Sequence, residues 1–176
     1  MLRFVLGFCI LYYGTIAFIG IASPGGYYIE WLDRHLNFVS WLRAALLQCS
    51  RGMMLLLGYD VYLKDVYTIR VIKGAGVHVG YDCIGYGVLY FWIAFIYANQ
   101  VGWKKQIKWL LGGVALIFTV NIARITLLLL AVNKKIPTVG NWDNHTLFNI
   151  AAYLVIFTMI YFFDRTLKNE KQNQLK

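Results

Sequence analysis

Long runs of apolar residues constrain this chain more than any other feature of its sequence. Four of them cover residues 4–22, 84–103, 109–132 and the stretch from His145 to about Phe163. An α-helix needs about 20 residues to cross the roughly 30 Å hydrocarbon core of a bilayer, and each run approaches that length. Because 60% of the 176 residues are hydrophobic, a soluble domain of this size could not bury them. The chain is therefore expected to form one integral membrane domain.

The basic residues lie in short loops and in the C-terminal tail, between and after the apolar runs. The formal net charge is +9. In a membrane protein this distribution indicates topology determinants and contacts with anionic lipid. We therefore expect membrane lipid, and no nucleic acid, among the partners.

Only one of the three cysteines has polar and glycine neighbours of the kind that chemistry uses. Cys83 follows Asp82 and precedes Gly85, where alternating residues of strand character give way to an apolar run. We expect Asp82 to be a helix N-cap, which places Cys83 in the first helical turn. Unpaired N–H groups and the helix dipole there favour a thiolate. A small apolar residue at a helix start is the alternative interpretation.

The other two cysteines, Cys9 and Cys49, lie in apolar or helical stretches and are interpreted as packing residues. No pair of cysteines has CxxC spacing, which argues against a thiol–disulfide relay and against a zinc site. No metal and no cofactor is expected.

The chain divides into five predicted parts within the single domain. Residues 1–35 form an N-terminal membrane helix and loop, since no convincing cleavage site follows the first run. Residues 36–58 form a helix that either lies at the interface, which we favour, or spans the membrane with a stripe of polar residues turned inward. The stripe comprises Ser40, Arg43, Ser50 and Arg51. Residues 59–82 form a β-hairpin outside the hydrocarbon, 83–163 a three-helix catalytic core, and 164–176 a basic tail.

Helix order brings three reactive side chains toward one membrane face. Cys83 begins one predicted helix, and His145 begins another after one intervening helix, so both lie on the same side. Arg124 lies about eight residues before the end of the intervening helix, about 12 Å below that face. An arginine inside an apolar run is costly, and it is usually functional or paired. Asn121 shares its helical face.

Two alternatives remain open for these side chains. Arg124 could tie helices together without chemistry, and His145 could be a solvated residue at a helix start. His78 is a rival base, but on a regular strand it should point away from the face of Tyr81 and Cys83.

The distribution of basic residues favours a cytoplasmic tail and an extracytoplasmic thiol. Seven lysine and arginine residues lie on the tail side of the membrane and five on the thiol side. Those on the tail side are Lys104, Lys105, Lys108, Arg165, Lys168, Lys171 and Lys176; those on the thiol side are Lys64, Arg70, Lys73, Lys134 and Lys135. With a cytoplasmic N-terminus, four spans satisfy this orientation, whereas a fifth would move the N-terminus outside. The expected fold is an all-α membrane bundle of four to five spanning helices with a small extracytoplasmic β-hairpin before Cys83.

The order of several short motifs resembles the exosortase/archaeosortase family. Leu57-Gly58 ends a helix, a hairpin leads to Cys83-Ile84-Gly85, Asn121-x-x-Arg124-Ile125 lies inside a membrane helix, and His145 opens the last helix. The resemblance covers roughly residues 40–163. Many family members have Cys-Ser-Gly and more helices before the cysteine, so this chain resembles a compact variant.

The resemblance implies a membrane-embedded cysteine protease or transpeptidase of the inner membrane, with its active site outside the cytoplasm. Its partners would be the C-terminal sorting signals of exported proteins, each a short motif, a membrane helix and a basic tail. Cys83, Arg124 and His145 would be catalytic, with Asn121, Asp82 and Gly85 in support. A non-catalytic assembly or anchoring factor is the main alternative. A quinone-linked thiol oxidant is a third, although no second cysteine is placed to resolve a disulfide.

Overall fold

The computed structural model describes residues 1–23, 27–99, 102–135 and 144–174, without the side chains of residues 82, 144–149, 152 and 169–174. Helices dominate this part of the chain. The elements are α1 (Leu2–Ala22), α2 (Glu30–Leu36), α3 (Phe38–Leu56), β1 (Val61–Leu63), β2 (Thr68–Val71), β3 (Gly76–His78), a 3₁₀ turn (Tyr81–Cys83), α4 (Tyr86–Ala98), α5 (Trp103–Asn133) and α6 (Asn144–Gln174).

Two helices of the described chain, α1 and α5, are long and apolar enough to cross a membrane. Helix α4 is equally apolar but has 13 residues, which at 1.5 Å per residue is about 20 Å. The mostly helical architecture with a small sheet is therefore confirmed. The total of four or five spans stays a prediction.

The boundary between α4 and α5 differs from the predicted one. The run expected to form one helix over 84–103 ends at Ala98, and α5 begins at Trp103 instead of residue 109. Three lysines that were assigned to a loop thus lie in the first two turns of α5. Lysine is a good helix former, and Gly102 at the N-cap marks the break instead.

Asn37 separates α2 from α3 within the segment predicted as one helix over 36–58. Its side-chain oxygen accepts the backbone N–H of Ser40 at 2.9 Å, which caps α3. Arg43 and Ser50 are buried on the inner face of α3, as the predicted stripe requires. Arg51 is exposed, so its assignment to that stripe was wrong. Whether α3 lies at the interface or spans the membrane stays a prediction.

A three-stranded antiparallel sheet, ordered β1-β2-β3, replaces the predicted two-stranded hairpin. The hairpin itself is confirmed as β2 and β3, with Ile69 opposite Val77. The additional strand β1 pairs with β2, with Leu63 opposite Ile69. Ile69 is fully buried because this face of the sheet packs on the helices.

The sheet, α3 and the C-terminal half of α5 share one hydrophobic core, to which Leu46, Met54, Ile69 and Leu129 contribute. A polar link fixes the sheet to the end of α5. The backbone N–H of Ala75 donates to Asn133 Oδ1 at 2.8 Å, and Asn133 Nδ2 donates to the Ala75 carbonyl at 3.2 Å. The sheet therefore holds the following turn, with Cys83, in a fixed relation to α5.

A second core joins α4, the N-terminal half of α5 and α6 around Trp92, which is fully buried. Its indole N–H donates to the Trp109 carbonyl at 3.2 Å. A Cβ atom at Gly113 would collide with that indole nitrogen, so only glycine allows α4 and α5 to approach this closely. The contact between Trp92 and Gly113 fixes α4 against α5.

Candidate functional site

Cys83 lies in a 3₁₀ turn, three residues before α4 begins. Its backbone N–H donates to the Gly80 carbonyl at 3.0 Å, and the Ile84 N–H donates to the Tyr81 carbonyl at 3.2 Å. Gly85, in the left-handed region, is the N-cap of α4. The prediction that Asp82 caps the helix and Cys83 occupies its first turn was therefore wrong, because the tight turn already uses these backbone groups. The side chain of Asp82 lies outside the described atoms.

Gly85 joins the cysteine turn to α5. Its φ of +77° favours glycine, and a Cβ atom there would lie 2.5 Å from Asn121 Nδ2. That Asn121 amide donates to the carbonyl of Ile84 at 3.3 Å. The residue following Cys83 is thus tied directly to the polar face of α5.

Arg124 lies one helical turn after Asn121, and both side chains are buried, at 7% and 6% exposure. Both line a cavity of about 540 Å³ together with Gly85 and the start of α4. Aromatic rings of α1, α4 and α6 form much of the remaining wall, namely Phe8, Tyr12, Tyr13, Phe91, Tyr153 and Phe157. Among the described residues, the cavity combines an apolar, aromatic wall with the Arg124 guanidinium and the Asn121 amide.

Cys83 itself is half-buried and packs at the edge of the core formed by α3 and the sheet. The structure therefore brings Gly85, Asn121 and Arg124 to one cavity. Cys83, two residues before Gly85, packs against the neighbouring core and does not line this cavity. His145 falls in the first turn of α6, as predicted, but its side chain lies outside the described atoms. Its contact with the thiol stays a prediction.

The other cysteines are free thiols away from this turn. Cys9 is half-buried in α1, which agrees with a packing role, whereas Cys49 is exposed on α3, so the expectation that it packs was wrong. His78 is exposed on β3, where its ring stacks on Tyr67 at 5.5 Å. Within the described residues no group of His, Cys, Asp and Glu side chains could hold a metal ion.

A second polar cluster, which sequence reasoning missed, lies behind the cysteine turn. The Arg43 guanidinium sits 3.9 Å from the ring centre of Tyr67 and 5.0 Å from that of Tyr81. The hydroxyls of Tyr81 and Ser23 share a hydrogen bond of 2.8 Å. The only signal in the sequence was Arg43 on a helical stripe, because its partners come from the C-cap of α1, the β1–β2 loop and the 3₁₀ turn.

The two tyrosines of this cluster have opposite pKa shifts. Burial raises the pKa of Tyr67, and the neighbouring Tyr81 raises it further. Burial alone would also raise the pKa of Tyr81, but hydrogen bonds with Ser23, Arg43 and Tyr67 outweigh it and lower that pKa below its ordinary value. Arg43 therefore favours negative charge next to the cysteine turn.

Comparison with known proteins gives a family and no individual relative. No curated protein and no solved structure matches the chain. The family model described as transmembrane exosortase matches residues 2–162, nearly the whole sequence. The match includes the cysteine turn, the Asn121–Arg124 face and the start of α6. The chain therefore belongs to the transmembrane exosortase family.

Proposed function

We propose that the protein is a cysteine transpeptidase. It cleaves the C-terminal sorting signals of exported proteins and transfers the cleaved proteins to an acceptor. Membership in the exosortase family implies a membrane transpeptidase or sorting function. The finer assignment of substrate, nucleophile and membrane face is our inference. The active site would face outside the cytoplasm, at the inner membrane.

One observation carries the proposal: the Asn121 amide bonds the carbonyl that follows Cys83, at 3.3 Å. This contact connects the Cys-x-Gly turn to the Asn-x-x-Arg face of a membrane helix. A buried arginine in the adjoining cavity adds the positive charge that a developing oxyanion requires.

In the proposed reaction His145 takes the proton of the Cys83 thiol, and the resulting thiolate attacks the carbonyl carbon of the scissile peptide bond, so that a C–S bond forms. The carbonyl π electrons move onto oxygen, where Arg124 and Asn121 stabilise the negative charge. When the intermediate collapses, the C–N bond breaks, and the leaving amine takes a proton from protonated His145. The thioester carbonyl is then attacked by an acceptor amine or water, which gives its proton to the now neutral His145. A C–N or C–O bond forms, the C–S bond breaks, and the Cys83 thiolate leaves the product.

Asp82 and Gly85 would act as supporting residues. Gly85 would hold the turn against Asn121, and Asp82, which precedes Cys83 in the sequence, is proposed in a supporting role. The substrate's membrane helix would pack along the aromatic wall of the cavity. This arrangement would leave the cleavage motif near Cys83 and the basic tail on the cytoplasmic side.

The test compares Cys83→Ser with Cys9→Ser and Cys49→Ser in cells that express a tagged sorting-signal substrate. We expect uncleaved substrate to accumulate only with Cys83→Ser, because the hydroxyl is a far weaker nucleophile at neutral pH. Each variant is also quantified in the membrane fraction. Normal processing by a well-expressed Cys83→Ser protein would refute the proposal and favour an anchoring factor.

A further inference from the structure

A second cavity, of about 710 Å³, lies behind the cysteine turn and away from the Asn121–Arg124 face. It is enclosed by the end of α1, the α2–α3 junction, the β1–β2 loop and the 3₁₀ turn. The polar side chains that line it include Ser23, Asp33, Ser40, Arg43, Tyr67 and Tyr81. The chemistry proposed for Cys83 does not use this cavity, although the family match covers the residues that line it.

Arg43 is a buried cation at the wall of this cavity, 2% exposed. Its Nη2 donates to Ser40 Oγ at 3.2 Å, while its buried Nη1 has no hydrogen-bond acceptor within the described part of the chain. The rings of Tyr67 and Tyr81 supply cation–π contacts. These contacts are weaker than an ion pair, so a buried guanidinium with a free donor favours an oxyanion in the cavity.

The two carboxylates at the cavity wall are already engaged. Asp33 accepts hydrogen bonds from Asn37 Nδ2 at 2.6 Å and from the Tyr28 hydroxyl at 3.0 Å. Asp65 accepts the backbone N–H of Tyr67 at 2.7 Å. Neither forms an ion pair with Arg43 in the described structure.

The position of the cavity indicates the source of that anion. Helix α1 is a candidate membrane span that ends at Ala22, and both Ala22 and Ser23 line the cavity. Trp41, another lining residue, is 58% exposed, as is common for tryptophan at a membrane surface. The cavity thus lies at the level of lipid headgroups, where phosphate is the prevailing oxyanion, and its volume exceeds what a bare ion needs.

We propose that this cavity binds a phosphate group through the Arg43 guanidinium, with the Ser40 and Tyr81 hydroxyls as further donors. Phosphate matches the planar fork of arginine and accepts several hydrogen bonds at once. The phosphate could belong to a lipid headgroup or be free in solution. The proposal does not depend on the reaction at Cys83, so it also holds for the Cys83→Ser protein.

The experiment measures binding to the full-length Cys83→Ser protein in an uncharged detergent. The probes are short-chain phosphatidylglycerol, inorganic phosphate, and the matched diacylglycerol that lacks phosphate. We expect phosphatidylglycerol to bind and the diacylglycerol to bind at least about tenfold more weakly, because it lacks the charged hydrogen bonds. Competition by inorganic phosphate would identify a site for phosphate from either source; its failure to compete would identify a lipid site.

Arg43→Gln should weaken phosphatidylglycerol binding by at least about tenfold, whereas Arg51→Gln, an exposed arginine on the same helix, should not. If Arg43→Gln does not accumulate, Tyr81→Phe and Arg43→Lys replace it and should each weaken binding. Equal binding of phosphatidylglycerol and diacylglycerol to the parent protein would overturn the proposal. Equal losses with Arg43→Gln and Arg51→Gln would also overturn it, since nonspecific surface charge would then explain the binding.

Discussion

Replacement of Gly85 by alanine is the sharpest test of how the cysteine turn is held. Gly85 has a φ of +77°, and an added Cβ would lie 2.5 Å from Asn121 Nδ2 and 3.0 Å from its Oδ1. Alanine would therefore strain the backbone and displace the Asn121 amide from the Ile84 carbonyl. Both effects act on the segment that carries Cys83.

The expected cost follows from these two contributions. A non-glycine residue in the left-handed region costs about 1–2 kcal/mol, and loss of a buried hydrogen bond costs about 0.5–1.5 kcal/mol. Gly85→Ala should thus lower the free energy of unfolding by about 1.5–3.5 kcal/mol. The assay is reversible unfolding in mixed micelles of a mild detergent and dodecyl sulfate, followed by tryptophan fluorescence.

Gly87→Ala is the matched control, because Gly87 lies two residues further on and lines the same cavity. A Cβ there would meet the ring of Tyr12 at ordinary contact distances, 3.4 Å from Cε2 and 3.8 Å from Cδ2, so alanine should be neutral or stabilise α4 by up to about 1 kcal/mol. In an Asn121→Ala background, Gly85→Ala should cost only the backbone contribution, about 1–2 kcal/mol. Equal effects of the two alanine variants, or full additivity with Asn121→Ala, would refute the described coupling.

Three further predictions concern charge and topology. Arg124→Lys and Arg124→Ala should each reduce substrate processing by at least about 100-fold, because lysine keeps the charge but lacks the planar donor fork; an active, well-expressed lysine variant would contradict the proposed oxyanion role. The orientation is tested in protein whose native cysteines are replaced by serine. A cysteine introduced by Ile72→Cys, at an exposed position, should react with a membrane-impermeant thiol reagent in intact cells, whereas one introduced by Arg165→Cys should react only after lysis. The reverse labelling pattern would show the opposite orientation. Arg43→Gln should raise the pKa of Tyr81, since Arg43 lowers it. The pKa is measured from phenolate absorbance during an alkaline titration, and Tyr81→Phe identifies the signal that belongs to Tyr81. A lower Tyr81 pKa in Arg43→Gln would contradict the described cluster.

Features that depend on local composition were predictable from the sequence. The apolar runs predicted α1 and the body of α5, because their length and hydropathy need no knowledge of neighbours. The hairpin followed from the strand-forming residues around Ile69 and the turn after Val71. Asn121 and Arg124 were expected on one helical face, and they share one cavity.

Features that depend on tertiary contacts or on very short segments were missed. Strand β1 has three residues, which are too few to show an alternating pattern in the sequence. The strand forms because it pairs with β2. The N-cap of α4 was placed at Asp82 because aspartate is a common cap, yet the left-handed Gly85, packed on Asn121, starts the helix. The Arg43 cluster combines side chains from four elements, so no spacing along the chain could indicate it.

The length of α4 has a consequence for how the protein enters the membrane. Its 13 residues reach about 20 Å, whereas the hydrocarbon of a bilayer is about 30 Å thick. Such a segment would be retained poorly by itself during synthesis, so we expect α4 to insert together with α5 as a helical hairpin. The indole of Trp92 seated against Gly113 closes that hairpin. The cysteine turn would then form only after α5 has left the ribosome, so Cys83 would reach its position only once the helix that carries Asn121 and Arg124 is in place.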